Sequence, residues 1–166
     1  MSEDIVVRGP QSVQEQHAPK SICFGCGPAN AQGLRIRSLR TPVGTAPAGL
    51  VASWRPEPHH HAFPGVLNGG ICGALLDCHS NWTAAIHLLD RDALAEIPCT
   101  VTAEFHVTLK RPTPMDAPLE LAAHVVESSG PRAVVEATLT ANGKVTATCR
   151  GTFVAVKEGH PAFNRW

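Results

Sequence analysis

Asn68-Gly69-Gly70-Ile71-Cys72-Gly73-Ala74-Leu75-Leu76-Asp77-Cys78 opens the longest helical stretch of the sequence. Its apolar positions, Ile71, Leu75, Cys78, Trp82, Ile86 and Leu89, recur every three or four residues, which predicts a helix from about Gly69 to Leu89. Cys72, Leu76 and Ala84 widen the apolar surface over most of the circumference, and a helix of that kind is buried. The rest of the fold has to be something that wraps it.

Working outward, the flanks read as strands. Leu34 to Leu39 alternates apolar and polar residues, Pro42, Gly44, Pro47 and Gly49 mark a turn, and Leu50 to Trp54 is the matching strand. After the helix, strands are predicted at Val101–Leu109, Leu119–Glu127, Ala133–Ala141 and Lys144–Val156, with turns at Pro112-Thr113-Pro114, Ser129-Gly130-Pro131 and Asn142-Gly143. Asn-Gly is a strong two-residue hairpin signal. Consecutive hairpins imply an antiparallel sheet of about six strands, and one long buried helix against it makes an α+β domain.

A chain of 166 residues with 43% apolar content suits one domain with a real core. The expected organisation is a flexible polar leader over 1–20, a single domain over 21–157 and a tail over 158–166. Fourteen basic residues balance fourteen acidic ones, and no basic stripe stands out, so neither nucleic acid nor an anionic membrane is an expected partner. No secretory signal pattern or membrane-length apolar run is present, which predicts a cytoplasmic protein. Its six cysteines, several inside apolar runs, then remain free thiols.

The helix start holds the most chemistry. Two glycines in a first turn are poor helix formers. They serve either close packing against the sheet or exposure of helix N–H groups to a carbonyl or oxyanion. Asp77 lies two turns further on, nearly on the face of Gly70, with the small residues Gly73 and Ala74 between. A carboxylate on an otherwise apolar helix is paired structurally or is used. Used, it is a base across a substrate-sized gap from the N–H donors, an arrangement suited to acyl transfer to water.

Phe63-Pro64-Gly65-Val66-Leu67-Asn68-Gly69-Gly70, running on to Leu75-Leu76-Asp77, resembles the signature of hot-dog-fold acyl-CoA thioesterases of the phenylacetyl-CoA type. Cys23-Phe24-Gly25-Cys26-Gly27-Pro28-Ala29-Asn30 with Gly33-Leu34, and Val101 to Glu104 with Lys110-Arg111-Pro112, are similar to further segments of that family. The resemblance implies an antiparallel sheet around the central helix, an acyl-CoA substrate, and a homodimer or homotetramer with sites between subunits. It implies Gly69 as the backbone donor polarising the thioester carbonyl, and Asp77 as general base or nucleophile. Thr102 then positions the water, and Gly70, His60, His61 and Phe63 line the substrate. Asn68 stands where the family has histidine; an amide also offers hydrogen bonds.

No cofactor and no metal are expected. His59-His60-His61 with Cys23-x-x-Cys26 invites a zinc reading, but adjacent histidines in an extended loop point to opposite sides. His79, His87, His106 and His124 are expected in the core or at interfaces, and His79 cannot meet Asp77, two residues away on one helix. Two other functions remain open. His61-Ala62-Phe63-Pro64-Gly65 resembles the His-Phe-Pro-Gly of hydroxyacyl dehydratases, against which stand Ala62 and the position of Asp77. A non-catalytic acyl-CoA-binding module is the other.

Overall fold

In the computed structural model, which describes residues 9–164, the helix predicted around Asp77 spans Gly69–Arg91. Numbering elements in chain order, a short α1 (Val13–His17) is followed by β1 (Leu39–Arg40), β2 (Leu50–Trp54), a 3-10 turn (Pro58–His60), β3 (His61–Phe63) and β4 (Val66–Leu67). The long helix is α2, and β5 (Thr100–Leu109), β6 (Leu119–Ser129), β7 (Arg132–Ala141) and β8 (Lys144–Ala155) follow it. Six strands form one antiparallel sheet in the order β1-β2-β6-β7-β8-β5, and β3 and β4 make a separate small hairpin leading into α2.

The core lies between α2 and one face of the sheet. Cys72, Leu75, Leu76, Trp82 and Ile86 from the helix meet Leu119, Leu121 and Ala123 of β6, Val135, Ala137 and Leu139 of β7, and Ala147, Cys149 and Phe153 of β8. The alternation of buried and exposed residues along β2 and β6 is the two-residue period of strands with one wet face. Asn142 and Gly143 both have positive φ, +50° and +71°, and make the two-residue turn between β7 and β8.

Two expectations are corrected. The predicted strand Leu34–Leu39 is reduced to Leu39–Arg40. Its alternation is real, since Leu34, Ile36 and Ser38 are buried and Arg35 and Arg37 exposed, but Arg35 adopts a positive φ of 48° that interrupts an extended strand. Its backbone serves the segment before it instead: Leu34 N–H donates to Phe24 O at 2.7 Å and Ile36 N–H to Gly25 O at 3.1 Å. The leader, where described, is packed. Ser12 caps α1 in a reciprocal capping box with Glu15, and Ser12, Val13 and Gln14 are buried. The first eight residues of the expected leader, and 165–166 of the expected tail, lie outside the described residues.

A bulge in β5 sets up the site. Thr102 pairs with Phe153 and Glu104 with Thr152, so Ala103 is an extra residue and the side-chain parity flips there. Before the bulge Thr100 and Thr102 face α2; after it Val107 packs on the core and Leu109 reaches the helix start. An unbulged strand would present only one of these two sets to the helix.

Candidate active site

Half-buried Asp77 projects from the third turn of α2 toward the start of β5. The hydroxyl of Thr102 donates to its Oδ1 at 2.7 Å, bringing together two residues distant in sequence. Burial pushes the Asp77 carboxyl above its ordinary value; the Thr102 hydrogen bond opposes the rise and the charge of nearby Cys23 adds to it. A carboxylate held this way is a better proton acceptor than a solvated one.

The helix start is arranged differently from the simplest expectation. Asn68 is the N-cap, and its Oδ1 accepts from Gly70 N–H at 2.8 Å and Ile71 N–H at 3.3 Å. The amide therefore occupies the Gly70 donor, and Gly69 N–H is left without a partner among the described residues. A Cβ on Gly69 would come within 2.9 Å of the Leu109 side chain, so close packing against β5 accounts for this glycine as well. Gly73, between Gly69 and Asp77, faces open space. Gly69 and Asp77 are eight residues apart, which is about 12 Å along the helix axis.

Of the expected substrate-lining residues, His60 is buried against the ring of Trp54, and its Nδ1 accepts from Glu57 N–H at 2.9 Å. Its main-chain carbonyl accepts from Asn68 N–H at 3.0 Å and so ties the 3-10 turn to the helix cap. His61 is exposed and its ring bonds the Pro58 carbonyl. Phe63 is 62% exposed on the β3–β4 hairpin. Cavities of about 630 and 710 Å3 open elsewhere, one against the sheet beside Pro47 and His124, the other beside Arg40 and Asp90; neither is lined by Asp77 or Gly69.

No family model matches the sequence, and no curated protein does. Solved structures match. A thioesterase superfamily protein from Shewanella loihica PV-4 is 27% identical with a TM-score of 0.60, over 78% of this chain and 98% of that one. The chain has the hot-dog fold of the thioesterase superfamily. The BH2602 protein of Bacillus halodurans, solved with CoA, shares the hot-dog architecture at 21% identity and a TM-score of 0.61, over 87% and 85% of the two chains. A thioesterase from Thermus thermophilus, solved with coenzyme A and Zn, does so at 17% identity and 0.54, over 68% and 83%.

Two features of this hot-dog domain escape a linear reading. Asn81, one turn beyond Asp77 on the same helix face, donates through Nδ2 to Thr100 O at 3.3 Å, while its buried Oδ1 has no partner among the described residues. Its spacing of four from Asp77 was the available signal. Cys78, in turn, meets Cys23 with 3.8 Å between sulfurs, and Cys26 joins them. Nothing in the spacing of Cys23 and Cys26 points to a partner 52 residues beyond Cys26.

Proposed function

We propose that this protein is a thioesterase that hydrolyses a small or medium acyl-CoA, aromatic acyl groups included, to the free acid and CoA. The observation that carries this reading is Asp77 itself. It is half-buried in a mainly apolar helix, raised in pKa, and bound by Thr102 through one oxygen, with Oδ2 left for water. The water oxygen attacks the thioester carbonyl carbon while Asp77 takes its proton; Gly69 N–H receives the developing oxyanion. Collapse of the tetrahedral intermediate breaks the carbon–sulfur bond, and the proton held by Asp77 goes to the departing CoA sulfur. Thr102 keeps the carboxylate aimed, and its oxygen lone pairs accept from the same water.

The spacing of these groups supports a site shared by two chains. A base and an oxyanion donor acting on one carbonyl each work at about 3 Å from adjacent atoms, whereas Gly69 and Asp77 of one helix are about 12 Å apart. Gly69 of one subunit therefore works with the Asp77 of another, in a homodimer or dimer of dimers. The free edge of β5 fits this: ten residues long, it exposes Phe105 and Leu109 at the margin of the sheet. Among the described residues no helix is long and apolar enough to cross a membrane, and the protein works in the cytoplasm on CoA esters of the phenylacetyl-CoA thioesterase kind.

Purified protein mixed with acetyl-, phenylacetyl- and longer acyl-CoAs, with free thiol followed, tests the reading. Thiol release that depends on Asp77 is the expected result. Saturable acyl-CoA binding without release would replace it with the binding-module function, and loss of water from a hydroxyacyl-CoA would replace it with dehydration. Sedimentation showing a monomer at micromolar concentration would remove the two-chain site.

A further inference from the structure

We propose that Cys23, Cys26 and Cys78 form a site for a thiophilic metal cation, zinc in the first place, which staples the loop before the sheet to helix α2. The inference is independent of what the hot-dog site hydrolyses. The three sulfurs lie within 4.8 Å of one another, and Cys23 and Cys78 are separated by 3.8 Å. A tetrahedron with zinc–sulfur bonds of about 2.3 Å has edges of about 3.8 Å. A disulfide would need the sulfurs at about 2.05 Å.

The surroundings are those of a metal-binding knuckle. Residues 23–27 turn back on themselves, with Gly27 N–H donating to Cys23 O at 2.8 Å. Side chains are excluded at both glycines. A Cβ at Gly25 would lie 2.4 Å from Cys78 Sγ, and one at Gly27 would lie 2.5 Å from Cys23 N and Ser21 O. The indole Nε1 of Trp82, one turn beyond Cys78, donates to Cys26 Sγ at 3.3 Å. Such outer donors orient thiolate ligands and offset their charge. The loop is held by the residues after it, through the hydrogen bonds of Leu34 and Ile36 to Phe24 and Gly25. Three ligands are thus gathered before a metal arrives.

Binding leaves all three sulfurs as thiolates, any protons they carried pass to solvent, and no electron is transferred. Among the described residues no fourth His, Cys, Asp or Glu joins the three, so a solvent molecule takes the fourth corner on the exposed Cys23 side. His59 and His60 lie in a 3-10 turn with ring centroids 4.1 Å apart, not in an extended loop, and neither joins the cluster; what linear spacing lacked is the third cysteine, supplied by α2.

The test is elemental analysis of the full chain, purified under reducing conditions without chelator, together with cobalt(II) titration of chelator-treated protein. The expected result is about one zinc or copper per chain, and cobalt binding with thiolate charge-transfer absorption. Cys78→Ser should abolish that absorption, while Cys99→Ser, a buried cysteine outside the cluster, should retain it. The titration of the unaltered chain needs no variant, so a Cys78→Ser protein that fails to fold does not blunt it. Metal content at trace level with no cobalt–thiolate absorption overturns the site. So does unchanged cobalt absorption in folded Cys78→Ser, or an intact mass short of two hydrogens in metal-free protein isolated without reductant, which would mark a disulfide.

Discussion

Asp77 and His79 stand two residues apart on one helix, face different sides of it, and are treated in opposite ways. His79 is wholly buried with both ring nitrogens engaged: Nε2–H donates to Leu50 O at 3.1 Å, and Nδ1 accepts from Ser38 Oγ at 2.8 Å. Ser38 in turn accepts from Gln14 Nε2 at 3.0 Å and donates its N–H to Gln14 Oε1 at 2.9 Å, so the network closes onto α1. Burial pushes this imidazole down to about 4, the bond to Leu50 opposing, and it is neutral at physiological pH. Asp77 has one protein hydrogen bond, stays half-open and is pushed toward neutral pH from below. A polar group with every valence satisfied is part of the scaffold; one left partly unsatisfied beside open space is available for chemistry.

Asp77→Asn is the sharpest way to break that contrast. It keeps shape and hydrogen-bonding capacity but removes the basic oxygen, so turnover should fall by about two to four orders of magnitude. Acyl-CoA affinity should persist, because the carboxylate acts in the chemical step and the substitution leaves the Gly69 donor in place. Measured on one preparation, a folded variant with near-normal turnover would make Asp77 another scaffold group.

His79→Ala should show the converse. It leaves a cavity in the core and strips partners from Ser38 and Leu50, costing about 2–4 kcal/mol in denaturant unfolding. Turnover per folded molecule should stay near that of the unaltered protein. The same group sets an acid limit. Its folded pKa lies below its unfolded value of 6.5, so the unfolded chain binds the extra proton first. Stability from this site is therefore complete above 6.5 and lost as pH falls toward 4, by roughly 3 kcal/mol. Thermal midpoints from pH 7 to 4, compared with His79→Ala, isolate the contribution; parallel curves for the two proteins would refute it.

How much of this was readable in advance follows the same division. The α2 stripe is legible from periodicity and the Asn142-Gly143 turn from its residue types. The order in the sheet is not a local pattern: consecutive hairpins would pair β5 with β6, whereas β5 pairs with β8 and β6 with β2. Asp77 was visible because a carboxylate on an apolar helix is anomalous wherever the helix docks. Thr102 came from family resemblance, and the structure places it against Asp77 only because of the bulge at Ala103, an event in strand pairing with no local signature. Leu34 to Ser38 shows the limit of periodicity. Alternating burial was right, yet the backbone bonds the loop at 24–25 rather than a neighbouring strand. The cysteine cluster depends wholly on tertiary contact.

Thr102→Val tests the connection between β5 and the acid. It removes a hydrogen bond to a charged group, with an expected loss of about ten- to a hundredfold in kcat/KM. Because that bond holds the Asp77 pKa down against burial, its loss should also move the acid limb of the kcat/KM profile to higher pH. A slower enzyme with an unmoved limb would place Thr102 on the water alone.

Asn68→Ala should have the smallest effect, and it separates the two uses of the helix start. In the folded chain Asn68 Oδ1 holds the Gly70 and Ile71 donors, the work of an N-cap. Losing a cap costs about 1 kcal/mol, which in a domain of this size lowers the thermal midpoint by about 2–4 °C. The Gly69 donor is untouched by the change, so if Gly69 alone receives the oxyanion, kcat should be conserved within a few-fold. If Asn68 also contacts the substrate, KM should rise as well. A large fall in kcat with an unshifted midpoint would mean that the amide acts in the transition state, and the helix start would then have to be divided differently, with the asparagine rather than the glycine N–H beside the thioester.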